Sequence, residues 1–432
     1  MNLQGSTLCV VGLGSAAKHH LYHDIRAWQI ELVLCTDSRD EVPNGVCDDL
    51  ILIEGLAKHS DDQRLAMIIE AELNKRGISP DGFVTFWEDC GPLTALLAER
   101  SNKVSNGYKA SLTAKSKLLT QECLRQSSVK IGMSLDCPSI ACNSVEELNE
   151  GLKVIQFPAM LKLEHGSGAA GVQRVDSFED AQLTLSQLLA MEDEDGKLGI
   201  GLGFGSRVLL TEYVLGTEHD VDIVSWAGEV VSSFVTENGK TRPPSQAETY
   251  AEMPASRFES ELVEAAVTTC QSLGLHSGVF NIEMIRSPDG KISVIDVNAR
   301  MAGFYFRDWI KRIWDYDLLR AAVEIALGVK PAHAKEASRT LAGYMILPSA
   351  HNRWLLDNEK VAKLNVALNK EYVVLNQFST SLSSIEKTDF PWGNLACEGP
   401  TIEVARSRIN KIVHEVGLLD VDPTLLQVGI LS

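Results

Sequence analysis

The chain has 432 residues, 45% hydrophobic and 23% charged, which suits roughly two to four globular domains of about 100–200 residues each. Its formal net charge of −18 repels phosphate backbones and excludes nucleic acid and anionic membrane surfaces as general partners. The opening MNLQGSTLCVVGLG lacks the basic segment and apolar length of a signal peptide, and no run of about eighteen apolar residues spans a membrane. With nine scattered cysteines and no CxxC pair, the expectation is a cytoplasmic protein with reduced, mostly buried thiols and no structural zinc.

Thr7–Val11 reads as a strand, Ala16–Trp28 as a helix, and Glu31–Thr36 and Asp49–Ile53 as further strands. An amphipathic helix over Asp61–Arg76 and a strand over Gly82–Phe86 complete a rhythm that predicts βαβ units and a mostly parallel sheet. Residues 101–114 are polar and read as a crossing into the next unit, whose first helix is Lys115–Gln126. Phe157–Leu163 and Gly171–Val175 read as paired strands around a small-residue loop, and 191–207 as a glycine-rich acidic loop. Strands follow over Val208–Tyr213, Asp220–Trp226 and Val230–Thr236, then a helix over Ser260–Leu273. A hairpin joins Ser277–Ile285 to Lys291–Val297 through SPDG, with helices over 315–328 and Ile402–Val416 beyond it.

Gly12, Gly14 and Ala17 follow a strand and open a helix, and Asp37 ends the next strand. The pattern is close to a dinucleotide fingerprint, with glycines for pyrophosphate approach and an acid for ribose hydroxyls. The alternative is a βα turn whose helix end binds nothing or a substrate anion. His19 and His23 share a helix face and read as exposed or capping histidines rather than a metal pair.

Four later segments carry chemistry together. Lys115 and Lys117 begin a helix, where lysines are ordinarily solvated. Lys162 lies in an otherwise apolar strand, where an unpaired ammonium is costly and a phosphate is one partner for it. The loop behind it, His165, Gly166, Ser167, Gly168 and on to Gly171, has backbone N–H groups able to close around phosphate oxygens, or is a plain hairpin turn. Glu212 ends a strand and Glu218 sits six residues on, and the stretch between them, with Tyr213 and Val214, reads as a hinge where adenine can rest on backbone groups and a carboxylate can reach ribose hydroxyls. Glu283 faces Asp296 and Asn298 across the hairpin, three oxygen ligands of the kind Mg²⁺ takes alongside phosphates. Arg300 shares their face at i+4 and offers a planar fork to a phosphoryl or carboxylate oxygen.

From about residue 1 to 330 these segments resemble the ATP-grasp superfamily, most clearly in Glu283 with Asp296-Val-Asn298-Ala-Arg300 and in Lys162 with its glycine loop. The resemblance implies an α/β fold, α+β in part: a preceding βαβ domain (1–105), an ATP-grasp core (106–330, lobes about 136–212 and 213–330) and a C-terminal lid (331–432). It implies that Lys115 and Lys162 contact ATP phosphates under the loop 165–171, and that Glu212 and Glu218 flank the adenosine. It further implies that Glu283, Asp296 and Asn298 hold two Mg²⁺ ions, with Mn²⁺ a substitute, and that Arg300 stabilises the transferring phosphoryl group. The family usually has Glu where this chain has Asp296, a ligand one methylene shorter.

The C-terminal WGNLACEGPTIEVARSRINKIV is similar to the ending of dipeptide-forming amino-acid ligases, the dapdiamide ligases of antibiotic assembly among them. The implied activity is an ADP-forming ligase joining a carboxylate to an amine through an acyl phosphate, and a homodimer is one assembly it allows. An NAD(P)-dependent oxidoreductase using Gly12–Ala17 is the competing class, and leaves Lys162, Glu283, Asp296 and Arg300 unexplained. An ATP-grasp carboxylase or purine-pathway ligase stays open.

Overall fold

The computed structural model describes residues 3–14, 18–40, 42–56, 61–166, 168–169, 171–191, 207–239, 241–242, 246, 248–378 and 391–425. Its first elements are β1 (Thr7–Val11), α1 (His19–Ala27), β2 (Glu31–Thr36), β3 (Asp49–Leu52), α2 (Asp62–Arg76), β4 (Gly82–Val84) and α3 (Gly91–Arg100). The strands form a parallel sheet in the order β3-β2-β1-β4. Continuous apolar runs such as Leu8–Val11 suit strands covered on both faces, and all four residues are buried. Asp61 caps α2 by accepting from Arg64 N at 3.0 Å, and Gly77 ends it at φ +68°.

The polar crossing expected over 101–114 contains a helix, α4 (Tyr108–Lys115). Ser116 interrupts it with extended backbone (φ −92°, ψ 114°), and its Oγ accepts from Leu119 N at 3.1 Å to start α5 (Lys117–Ile131). Lys115 therefore ends one helix and Lys117 starts the next.

A second, antiparallel sheet follows: β5 (Ser139–Ala141), α6 (Val145–Gly151), β6 (Ala159–Leu163), β7 (Gln173–Val175), α7 (Phe178–Leu189) and β8 (Val208–Glu212), ordered β5-β8-β6-β7. Of the expected loop at 191–207, residues 192–206 lie outside the described residues.

The third sheet contains β9 (Thr217–Trp226), β10 (Glu229–Asn238), β11 (Tyr250–Met253), β12 (Gly278–Arg286) and β13 (Ile292–Asn298), with α8 (Glu259–Leu273) before the β12–β13 hairpin. Beyond α9 (Phe306–Trp314) and α10 (Leu318–Ala326) it continues with β14 (Thr340–Ile346), α11 (Pro348–Leu355), α12 (Asn358–Ala367), β15 (Val373–Gln377), β16 (Gly393–Gly399) and α13 (Ile402–Glu415). Among the described residues it is eight-stranded, ordered β13-β12-β9-β10-β11-β14-β16-β15. The strands after residue 330 thus extend the same sheet, through β11 pairing with β14. The helix expected over 315–328 is α10; α9 before it was not expected, and Asp315 at φ +55° separates the two. In α9 the buried Phe306, Trp309, Ile310 and Ile313 recur at i, i+3, i+4 and i+7.

One apolar cluster joins Leu8 and Tyr22 of the parallel sheet layer to Trp309 and Leu318 and to Phe234 of the large sheet. The N-terminal unit is thereby seated on α9–α10. The approach is closest at Gly82, where an added Cβ would meet the carbonyl oxygen of Ala326 at 2.1 Å. Gly82→Ala should lower stability by about 1–3 kcal/mol, as overpacking does, with loss of the denaturation midpoint in urea as the measure. An unchanged midpoint would show that β4 and the end of α10 are not in contact.

Candidate active site

A cavity of about 550 Å³ opens between the small sheet and the large one. Lys162 of β6, Glu218 and Asp220 of β9, Glu283 of β12 and Asp296 of β13 face into it. The strand register explains the convergence. Glu283 lies opposite both Asp296 and Asp220 on its neighbouring strands, and Asn281 lies opposite Asn298 and Asp222. With a side-chain period of two, residues 218, 220 and 222 share one face with these.

That face carries more negative charge than its surroundings solvate. Burial raises the carboxyls of Asp220, Asp222, Glu248 and Glu283 above their ordinary range, and neighbouring carboxylates add to the shift at Asp222, Glu248 and Glu283. Burial, then Asp220, pushes Glu218 up to about 8. Asp220 is tied down by Asn281 Nδ2 at 3.0 Å and Asn238 Nδ2 at 2.7 Å, and Glu248 accepts from the Tyr305 hydroxyl.

Three cations answer it. Lys117 Nζ lies 3.0 Å from Asp296 Oδ2 and donates to the Gly166 carbonyl at 2.7 Å. Lys162 Nζ donates to the Ile295 carbonyl at 3.1 Å, and burial lowers its pKa. Arg300 donates from one terminal nitrogen to Asn298 Oδ1 at 2.9 Å and to Glu88 at 2.7 Å. Lys115, the lysine expected at the phosphates, is placed elsewhere: 2.8 Å from Glu88, 2.7 Å from Asp89 and 3.0 Å from the His165 carbonyl. It does not line the cavity, whereas Lys117 does, because Ser116 separates the two lysines onto different helices.

Gly166, Gly168 and Ala169 border the cavity, the last two with φ of +61° and +58°. His165 Nδ1 sits 3.3 Å from the Lys115 carbonyl, and Ser167 lies outside the described residues. Gly171 does not line the cavity; a Cβ there would press on Leu188 and Leu163 at 3.0 and 3.1 Å. Glu212, Tyr213, Val214 and Gly216 form another wall, with Arg174 stacked 4.6 Å from the Tyr213 ring centroid. Gly216 is required by space, since a Cβ would meet the Arg286 carbonyl oxygen at 2.3 Å. Phe304, Phe306, Met345 and Leu347 add apolar surface to the lining.

Glu283 and Asp296 fit a hard divalent cation by charge and position. Asn298 is less available than expected: its Oδ1 faces Arg300, and its Nδ2 donates to Glu283 Oε1 at 3.0 Å. Among the described residues no group of three or more His, Cys, Asp or Glu side chains forms a metal-binding cluster. Glu88, Asp220 and Glu248 were not singled out from the sequence. The alternation Glu218-His-Asp220-Val-Asp222 was the available signal for one of them; Glu88 and Glu248 carry none.

Gly12 of the N-terminal turn has a packing explanation. Gly12, at φ +83°, leaves no room for a Cβ, which would lie 2.5 Å from Cys90 Sγ and 2.9 Å from Trp87 Cε3. Residues 15–17 of that turn lie outside the described residues. All nine cysteines are free, most of them buried, and no described helix is long and apolar enough to cross a membrane.

The profile of the ATP-grasp domain matches residues 155–308. Human carnosine synthase 1 is 32% identical over 425 residues, covering 96% of this chain and 51% of that protein. The chicken enzyme is likewise 32% identical, with 45% of its length covered, so the chain spans about half the length of these curated relatives. Among solved structures, the L-amino acid ligase from Bacillus licheniformis superposes with a TM-score of 0.73 at 16% identity, covering 95% of this chain and 98% of that one. The ATP complex of carboxyaminoimidazole ribonucleotide synthase from Aspergillus clavatus gives 0.72 at 17% identity, covering 97% and 100%. The oxidoreductase alternative finds no support in these likenesses.

The raised Glu218 carboxyl has a consequence for the protein without ligands. Its folded pKa of about 8 exceeds the ordinary 4.5, so the unfolded chain releases the proton first as pH rises. Its contribution to stability is therefore lost between about pH 4.5 and 8. Glu218→Gln should raise the thermal midpoint at pH 8 more than at pH 5. Equal shifts at both pH values would show that Glu218 is not a buried acid.

Proposed function

We propose that the chain, whose residues 155–308 match the ATP-grasp domain, is an ADP-forming ligase joining a carboxylate to an amine, with an amino acid as one substrate. One observation carries the reading: two lysines, two paired carboxylates and an arginine from four chain segments face a single cavity walled by a glycine-containing loop. The names of the similar proteins, carnosine synthase and L-amino acid ligase, support an amino-acid substrate.

In this reading Tyr213 and Val214 present backbone groups to the adenine, and Glu212 and Glu218 reach the ribose. Lys117 and Lys162 take the terminal phosphates, together with backbone N–H groups of Gly166, Gly168 and Ala169. Lys117 replaces Lys115 in this role. Glu283 and Asp296, with Asn298 beside them, would hold Mg²⁺ or Mn²⁺, which supplies charge neutralisation for the phosphate oxygens. Arg300 orients the acceptor carboxylate and offsets charge building at the γ-phosphorus. A carboxylate oxygen attacks that phosphorus and ADP leaves; the amine then attacks the acyl carbon, phosphate leaves, and the amine nitrogen gives up its proton. The apolar lining of Phe306, Met345 and Leu347 would disfavour water that competes with the amine.

Incubation with ATP, Mg²⁺ and pairs of amino acids and small acids should yield ADP and orthophosphate in step with amide. Hydroxylamine in place of the amine should trap a hydroxamate of the acid. Glu283→Ala and Asp296→Ala should each lower turnover by at least about 100-fold with the circular dichroism spectrum unchanged. AMP and pyrophosphate as products would overturn the mechanism, and phosphate release that needs bicarbonate and no amine would place the chain with the carboxylating ligases instead.

A further inference from the structure

We infer that Glu88, supplied by the N-terminal unit, is the positioning residue that aims Arg300 at the reacting groups. This rests on the role given to Arg300 in the ligase reading. Glu88 opens the short turn Glu88–Cys90 after β4 and does not line the cavity. Its Oε2 accepts from Arg300 at 2.7 Å across 212 positions of sequence, while Oε1 accepts from Lys115 at 2.8 Å. The pair is largely enclosed, with 12% of the Glu88 side chain and 16% of Arg300 exposed.

The guanidinium has two sets of counter-charges to choose between. On one side stand Asp220 and Asp222 of the large sheet, both within its field. On the other stands Glu88, which holds one terminal nitrogen together with Asn298, while the other donates to the Met301 carbonyl at 3.1 Å. These bonds fix the plane of the group. Its Nε is buried and has no hydrogen-bond partner among the described residues. Burial pushes the Glu88 carboxyl up, but Lys115, Arg300 and Lys117 outweigh it and hold it well below the ordinary range, so the anchor stays charged. Without that charge, Arg300 has only the sheet carboxylates to pair with and folds back on them.

Asp89 provides the control. It also pairs with Lys115, at 2.7 Å, and is buried in the same turn, but it makes no bond to Arg300. In the ADP-release assay, Glu88→Gln should lower kcat by about 10–100-fold, the usual effect of removing an outer partner, with the KM for ATP little changed. Asp89→Asn should keep kcat near that of the parent protein while losing comparable thermal stability. Should Glu88→Gln fail to fold, Glu88→Asp keeps the charge but withdraws it by one methylene and should show a smaller loss of the same kind. Equal loss of kcat in Glu88→Gln and Asp89→Asn would overturn the proposal, placing the effect in Lys115 or the fold. A lowered KM for the carboxylate at unchanged kcat would also overturn it, making Glu88 an occupant that substrate displaces. Parent turnover with an unaffected Glu88→Gln sinks this proposal alone; absence of parent turnover with every pair removes the ligase reading and this proposal with it.

Discussion

Everything in the site depends on one face of the large sheet carrying carboxylates where burial disfavours their charge. Asp220 and Glu283 stand side by side across β9 and β12, with Asp296 next on β13. Such a row is unstable by itself, because each ionised group is both desolvated and repelled by its neighbours. It persists because positive charge is brought to it from outside the sheet. Lys162 arrives on the small sheet, Lys117 at the head of α5, and Arg300 just past β13, itself anchored by the N-terminal unit. These ion pairs and hydrogen bonds bridge the sheets at the cavity, where cations and carboxylates are balanced against each other.

The local order of the fold was legible wherever period and punctuation agreed. The parallel N-terminal sheet, the β12–β13 hairpin and α13 follow from apolar runs, the SPDG turn and a 3.6-residue stripe. The errors came from single residues acting as switches. Ser116 divides what reads as one helical start, and with it decides which lysine reaches the cavity; Asp315, in the left-handed region, ends α9 and moves the helix start expected at residue 315 to Leu318. Neither event leaves a mark in hydrophobic periodicity.

The site was legible where its residues share a strand or a hairpin, since a period of two places Asp296, Asn298 and Arg300 on one face without knowledge of the fold. Groups that converge through tertiary structure were not. Glu88 and Arg300 meet over 212 positions, and Glu248 reaches the cavity beside Tyr305 from a stretch with no pattern of its own. A glycine in a motif proved ambiguous for the same reason. Gly12 and Gly216 are both small because a specific neighbour, Cys90 in one case and the Arg286 carbonyl in the other, occupies the space a side chain would need. Only Gly216 lies at the cavity.

The overall charge and the local charge of this chain point in opposite directions, and the structure shows why that is consistent. A net charge of −18 repels ATP at long range, but that field is screened within about 10 Å at ordinary ionic strength. Inside the cavity the relevant charges are few and close. Lys117, Lys162 and Arg300 are each held by a carbonyl or a side-chain oxygen, so their positions do not depend on a ligand being present. A phosphate group entering there exchanges water for donors already oriented, which is the condition under which electrostatic stabilisation requires least rearrangement. The raised carboxyls on the facing strands set the complementary requirement: burial disfavours their charge, and a cation beside them favours it. On the proposed reading, nucleotide phosphates would answer the cations and a divalent cation the carboxylates, so that the two halves of the site are satisfied together.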